Sequence, residues 1–387
     1  MLQIDHVYEF LYQEIFKDFE NWHLPNGVPK LEDIRIHDIS IFTRKQIPDR
    51  KIFLFDQEPV SSEILHPYFN FFLLDPIPAI FVTSEKSDAV NTICDLYNLT
   101  SLYYFFHGFA ALDWYRGHYA LNYNKSIVKQ YNYDFISFNR IINNDRSYRI
   151  YFVSKLKELG LLEKGLVSFG VTDNLFDDWR DEVADPNTKL SDHACQHAES
   201  HLVNIDKLII DRAELSGSAS ANIPRTIEGW WPNNDQPNTD AFWHIVTETV
   251  FYYNKLHLTE KIFKPIASKQ PFMLLAAPGN LAYLKSYGFK TFDSVIDESY
   301  DLIQDNDLRT EAVVRQLHWY CNLTPGEKTD VIKQLEPIID YNFHHFYGEF
   351  RHIIARELLD NTKTLFREIG YDDSYINYTN IHHVLTH

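Results

Sequence analysis

Cysteine is scarce in this chain: Cys94, Cys195 and Cys321 are three in 387 residues, widely spaced and without a CxxC pair. That excludes a disulfide framework and a cysteine-built zinc site, and it fits a reducing compartment. Glycine is scarce as well, at 13 residues, and neither GxGxxG nor the P-loop pattern occurs, so the common glycine-rich phosphate cradles are missing. Basic residues are outnumbered, 36 against 54 acidic, for a net charge of −18. Nucleic-acid affinity rests on cationic neutralisation of phosphates, so a broad polyphosphate-binding surface is disfavoured while a local basic cleft stays open. Long apolar runs are missing too. The most apolar stretch, FNFFLLDPIPAIFV at 69–82, is broken by Asp75, Pro76 and Pro78 and is too short to span a bilayer. The opening MLQIDHVYEF lacks the basic and apolar regions of a signal peptide. A soluble, cytoplasmic protein is expected. No fixed-period repeat, HExxH pattern or DxD triplet after a strand occurs, and no metal site is expected.

What is present is aromatic and globular. With 28 Phe and 24 Tyr the usage suits an AT-rich genome, bacterial or phage, and 45% hydrophobic with 23% charged residues is the composition of a packed chain. Its length suits two domains. Short β-rich runs recur at DISIF (38–42), KIFLF (51–55), AIFVT (79–83), LYYFF (102–106), YDFISF (133–138), GLVSFG (165–170) and PFMLLA (271–276). Helix-period segments such as SYRIYFVSKLKELGLL (147–162) and TEKIFKPIAS lie between them, so the pattern predicts an α/β chain with parallel sheets. A boundary is expected in the polar stretch 122–132. This divides the chain into an N-terminal domain at 1–130, a second domain at 131–325 and C-terminal helices at 326–387 that pack back on the domains. The stretch 171–240, with FDDWRDEVADP, GSAS and WWPNNDQPNTD, reads as irregular connections around a site.

Several residues have types and positions suited to chemistry. In LHLTEKIFKPIASKQPFMLLAAPG (256–279), Thr259 is a good N-cap, Lys261 supplies a cation inside the first turn, and Glu260 suits a ribose diol. Helix N-termini favour anions through free N–H groups and the helix dipole. An ordinary helix start with a favourable first-turn Glu reads equally well. Glu248 stands in an apolar strand-like run and needs a partner or a ligand. In KIFLFDQEPVSS, Asp56 and Glu58 follow a strand end, where ligands bind in parallel sheets; an exposed turn is the plainer reading. HGFAALDWYRGHY (107–119) concentrates His107, Asp113, Trp114, Tyr115, Arg116 and His118, which suit sugar stacking and hydrogen bonding or, more plainly, a packed loop. His197 and His201, four apart in SDHACQHAESH, read as surface histidines. Asp297, Glu298 and Asp301 read as a solvated acidic face or the border of a sugar pocket.

The order Glu248, Thr-Glu-Lys, apolar strand and Pro-Gly turn resembles the donor-binding motif of the α-1,3-fucosyltransferases. Leu258 precedes the triplet, Pro271 opens the strand, and Thr249 stands where the family usually has Asn. YDFISFNR followed by SYRIYFVSKLKEL resembles that family's Ser-Asn strand end and following arginine, with Ser137 and Asn139 separated by Phe138 and Arg149 in the arginine's place. The likeness covers about 133–290. It implies a GT-B-like architecture: two Rossmann-like domains, a deep interdomain cleft and a C-terminal helical segment. It also implies an inverting transfer without an obligatory metal or cofactor. Arg149, Asn139, Glu248, Thr259, Glu260 and Lys261 would hold a GDP- or UDP-linked sugar, and Asp113, Trp114, Tyr115 and Arg116 the acceptor. Pro265, inside the helix, departs from that pattern.

The expected activity is a glycosyl transfer to an acceptor hydroxyl. Glu58 is the first choice of general base, Asp56 the reserve and His107 a further candidate. The acceptor is a glycan or, alternatively, a hydroxymethylated base in phage DNA. A non-catalytic nucleotide- or carbohydrate-binding protein is the other class.

Overall fold

The computed structural model describes residues 4–16, 20–23, 40–41, 51–61, 65–66, 79–126, 131–170, 178–205, 208, 240–374, 376 and 381. The stretches 69–78 and 209–239, within the apolar run and the loops with GSAS and WWPNNDQPNTD, lie outside them.

The chain forms two compact units. Unit 1 is Met1–Asp113, Lys255–His257 and Gly348–His387; unit 2 is Trp114–Asn254 and Leu258–Tyr347. Each is built on one largely or wholly parallel sheet, which makes the protein α/β. The sheet of unit 1 has the order β2-β1-β3-β4-β5, from Glu20–His23 (β1), Ser40–Ile41 (β2), Lys51–Leu54 (β3), Ala79–Thr83 (β4) and Leu99–Tyr103 (β5). Only the β1–β2 pair in it is antiparallel. The sheet of unit 2 has the order β7-β6-β8-β9, all parallel, from Tyr133–Ser137 (β6), Gly165–Val167 (β7), Ala241–Thr247 (β8) and Phe272–Leu275 (β9). Both orders are compatible with Rossmann-like winding.

Strand composition explains the parallel pairing. All five residues of β4, all seven of β8 and all four of β9 are buried, the mark of strands covered on both faces. In unit 2 the Tyr148–Glu158 helix packs on the Asn306–Cys321 and Asp192–His201 helices. In unit 1 the Arg351–Glu368 helix lies against β5, with Asn361 Nδ2 donating to the Tyr103 carbonyl at 3.0 Å. The helical C-terminus expected from 325 onward is present as Pro325–His345, a π-helical turn and Arg351–Glu368, but it is shared between the units at residue 348. Asn98, at φ 51°, ends the Asp88–Tyr97 helix in the left-handed conformation that asparagine tolerates. Among the described residues no helix is long and apolar enough to cross a membrane.

Two expectations shift. LYYFF is not one strand: β5 ends at Tyr103 and a helix, Phe106–Trp114, starts inside the run. That helix is buried on almost every face, so no 3.6-residue alternation marks it in the sequence. Within 171–240, the part described includes two capped helices, Trp179–Ala184 and Asp192–His201, in place of irregular chain.

Gly165 pairs directly with Phe135 across the β6–β7 ladder, and the phenyl ring lies against it. A Cβ at Gly165 would sit 2.6 Å from Phe135 Cε2 and closer still to Cε1 and Cζ. Phe135 is fully buried, so the ring has little room to move. Gly165→Ala is therefore expected to destabilise by about 1–3 kcal/mol through overpacking. Gly326→Ala, with nothing within 4 Å of the new methyl, should be neutral or slightly stabilising. Urea unfolding of both variants checks this, and equal midpoints would contradict it.

Candidate functional site

The chain leaves β6 for one neighbour, β7, and then takes its place on the other side as β8. Such a reversal opens a crevice beyond the carboxyl ends of the two central strands, where ligands of open α/β sheets bind. Ser137 ends β6, Asn139 stands two residues on, and Glu248 directly follows β8, so unit 2 brings these three sequence candidates to that edge.

Glu248 is fully buried, and its partner is the protein itself. Oε1 accepts from the Thr259 N–H at 3.2 Å, while Oε2 accepts from the Thr259 hydroxyl at 2.6 Å and the Thr249 N–H at 3.2 Å. Thr259 in turn caps the Glu260–Ala267 helix, its Oγ1 accepting from the Lys261 N–H. The Lys261 ammonium lies 3.2 Å from Thr249 Oγ1, 3.1 Å from Thr259 Oγ1 and 3.1 Å from Glu260 Oε1. Its side chain is 37% exposed, so the ammonium stays reachable. Helix start, cation and first-turn carboxylate are thus assembled as the triplet suggested, with Glu248 beneath them as a brace. Pro265 does not end the helix, which continues to Ala267.

Arg149 is buried and directed inward. Nη1 donates to the Ile141 carbonyl at 2.9 Å; Nη2 donates to the Thr247 carbonyl at 2.7 Å and reaches that of Glu248 at 3.4 Å. The guanidinium therefore ties the end of β8 to the chain leaving β6. Asn139 Nδ2 donates to Ser137 Oγ at 3.0 Å, and the Asn139 N–H donates to Ser168 Oγ at 3.0 Å. Its Oδ1 is buried with no hydrogen-bond partner among the described residues.

A second buried guanidinium, Arg309, gave no signal beyond closing an acidic stretch. Its Nη1 donates to the Ile303 carbonyl at 2.7 Å and its Nη2 to the Phe251 carbonyl at 2.8 Å, with Cζ 4.2 Å from the centre of the Phe251 ring. Burial pulls it down to about 10, still a cation at neutral pH. Tyr148 stacks on the other partner of this group, Phe251, at 3.9 Å between centroids, and its hydroxyl donates to the Glu248 carbonyl at 2.6 Å. Of the acidic trio, Asp301 receives the Leu281 and Ala282 N–H groups and Glu298 receives Thr291 Oγ1 and the Phe292 N–H. Burial raises both carboxyls above their usual range. Asp297 alone is an exposed cap, for Ser299.

In unit 1, Asp56 is buried beyond β3, bonded to the Tyr104 hydroxyl, with Ser84 Oγ donating to its carbonyl at 2.7 Å. Glu58, two residues on, is half-exposed. A pair that sequence reasoning missed lies in the same unit: the Lys255 ammonium is 3.1 Å from Glu85 Oε1, and the carboxylate also accepts from the Val60 N–H at 2.7 Å. Glu85 is buried and Lys255 nearly so, and the sequence signal was a polar Ser-Glu following β4. His107 is buried edge-on against His257, 5.0 Å between centroids. Asp113 is buried and accepts from the Ile4 N–H at 3.2 Å. It belongs to unit 1, while Trp114, Tyr115 and Arg116 open unit 2. There the Tyr115 carbonyl accepts from the Tyr347 hydroxyl at 2.7 Å. Burial pushes the Cys94 thiol up to about 11 and Cys321 up to about 12, so neither is a nucleophile at neutral pH.

Two outcomes follow. Thr259→Val leaves a buried carboxylate oxygen short of a donor and is expected to cost about 1–3 kcal/mol in urea unfolding; unchanged stability would remove the brace assigned to Glu248. His244, in β8, is held down to about 3 by burial and then by the charge of Lys264. It stays neutral when folded, whereas the unfolded chain takes up the proton near pH 6.5. Its stability contribution is complete above about 6.5 and is lost as pH falls toward 3. His244→Gln should flatten the fall in melting temperature across that window, and an unaltered acid limb would contradict it.

Comparison with known proteins finds no matching family model, no matching curated protein and no matching solved structure. The likeness to the fucosyltransferases is therefore a likeness of two short motifs.

Proposed function

We propose that this chain is a glycosyltransferase that takes its sugar from a nucleotide-diphosphate donor held at the carboxyl edge of the β7-β6-β8-β9 sheet. The observation that carries this is the helix start at Thr259, placed beyond β8 beside the β6/β8 reversal, with a solvent-reachable Lys261 ammonium on its first turn. Free N–H groups and the helix dipole favour a phosphate there, and Lys261 adds a point charge where the leaving diphosphate gathers negative charge. Glu260 accepts from a ribose hydroxyl. The buried Asn139 Oδ1 adds an acceptor at the same edge. Arg149 and Glu248, spent on main-chain and hydroxyl partners, position this edge without touching the donor. Transfer needs a base for the acceptor hydroxyl, and Glu58, half-exposed beyond β3, takes that role. A GDP- or UDP-linked sugar and a glycan acceptor complete the reading, which requires no metal in the transfer step.

A second reading, a nucleotide-binding protein without transfer, is favoured by the inward direction of Arg149, which turns that guanidinium to main-chain carbonyls and away from a diphosphate.

Thermal stabilisation by GDP, UDP and their sugars tests the shared part, because a ligand that binds only the folded chain raises its melting temperature. Lys261→Ala is expected to weaken nucleotide binding about 10- to 100-fold, as loss of one charge-assisted hydrogen bond does. Glu58→Gln should keep binding and lower transfer about 10²- to 10⁴-fold. Normal transfer by that variant would remove Glu58 as base, and binding without turnover of any donor would favour the second reading. Failure of every nucleotide to bind would end both.

A further inference from the structure

Away from this edge, two helices of unit 2, Tyr148–Glu158 and Asp192–His201, pack side by side. Where the first ends, three metal-ligand side chains converge: Glu158, His197 and His201 each place a ligating atom within 4.8 Å of the others. The two histidines, four residues apart, share a face of their helix. Their spacing alone gave no reason to see more than surface imidazoles; the carboxylate comes from the other helix.

Hydrogen bonds set the tautomer of both rings. His197 Nδ1 is 2.8 Å from Ser154 Oγ, and that hydroxyl donates its own proton to the Tyr151 carbonyl at 2.7 Å. Toward the ring the hydroxyl therefore accepts, and Nδ1 carries the hydrogen. Nε2 is left with a lone pair 3.2 Å from Glu158 Oε2, itself an acceptor. Two acceptors at this distance need a cation: a proton on the ring, a metal ion, or the Lys155 ammonium that lies on the same oxygen. His201 Nδ1 is 2.9 Å from the His197 carbonyl, which only accepts, so this ring also has its lone pair on Nε2. Metal-ligating histidines are oriented in this way, through an N–H donated from the other ring nitrogen.

The distances suit a small divalent ion. Ligands about 2.0–2.2 Å from zinc in a tetrahedron stand about 3.3–3.5 Å apart, close to the observed 3.2 Å. The rings of His197 and His201 are stacked at 4.1 Å and have to turn to bring the third ligand in. His193, one turn earlier, is engaged elsewhere, its Nε2 3.1 Å from the Tyr151 hydroxyl. Lys155 opposes the ion, its ammonium 2.5 Å from the same Glu158 oxygen.

We propose that Glu158, His197 and His201 form a site for a divalent transition metal of the zinc class that clamps the Asp192–His201 helix to the Tyr148–Glu158 helix. Two imidazoles and one carboxylate are a ligand set zinc accepts, with water in the fourth position.

The test uses the full chain, freed of metal by chelation and titrated with ZnCl₂ against a chromophoric chelator, with CoCl₂ as a spectroscopic probe. A single zinc equivalent should bind, raise the melting temperature, and give cobalt the intense visible bands of a four- or five-coordinate ion. His201→Ala should abolish both signals. Ser154→Ala, which frees the His197 ring, should weaken zinc about tenfold, Lys155→Met should tighten it, and His193→Ala should leave it unchanged. Equal zinc affinity in wild type and a folded His201→Ala variant would overturn the site. So would a Lys155→Met variant that binds more weakly, an outcome readable even if the histidine variant fails to fold.

Discussion

The candidate donor edge depends on one buried charge. Glu248 has no exposure to water, and an ionised carboxylate in that position is costly unless donors replace its hydration. Thr249 and Thr259 supply three of them, and in doing so bind the end of β8 to a residue eleven positions further along. Because the Thr259 hydroxyl donates to the carboxylate and accepts from Lys261, the same contacts set where the helix starts and where its first cation stands. Remove the carboxylate and the strand, the cap and the cation lose their common reference.

The surrounding loops follow the same physics with the sign reversed. Chain leaving a sheet carries carbonyl groups that have lost their ladder partners, and buried carbonyls have to be satisfied. Arg149 does this for Ile141, Thr247 and Glu248, and Arg309 does it for Phe251, Ile303 and Gln304. Guanidinium, with its five donors in a fixed fork, is suited to several carbonyls at once. In unit 1 the ion pair of Glu85 and Lys255 plays the comparable part, fastening residues 255–257 beside Lys86, with which Leu256 exchanges two main-chain hydrogen bonds. Both edges are held by charges turned inward, while Lys261, Glu260 and Glu58 stay partly exposed.

Much of this was legible in local pattern. Continuous apolar runs marked β4, β8 and β9, and Thr-Glu-Lys marked a capped helix, because strand burial and N-capping are short-range effects. LYYFF misled for a related reason: a helix buried on nearly all sides has no polar stripe, so its aromatic start looks like the continuation of a strand. Asp301 and Glu298 looked like a solvated face because nothing in GFKTFDSVIDESYDL announces that their carboxylates turn back to cap the chain around Leu281 and Phe292.

By itself the amino-acid order determined the α/β class, the parallel character of the sheets, most strand positions and the helix opening at Thr259, since each rests on side-chain periodicity or on neighbours a few residues apart. Tertiary structure alone decided what the charges do. Whether Arg149 faces a phosphate or three carbonyls, whether Glu248 meets a ligand or Thr259, and whether His197 and His201 meet a carboxylate all depend on groups brought together from distant parts of the chain. A buried charge takes the partner that packing places beside it, and packing is long-range.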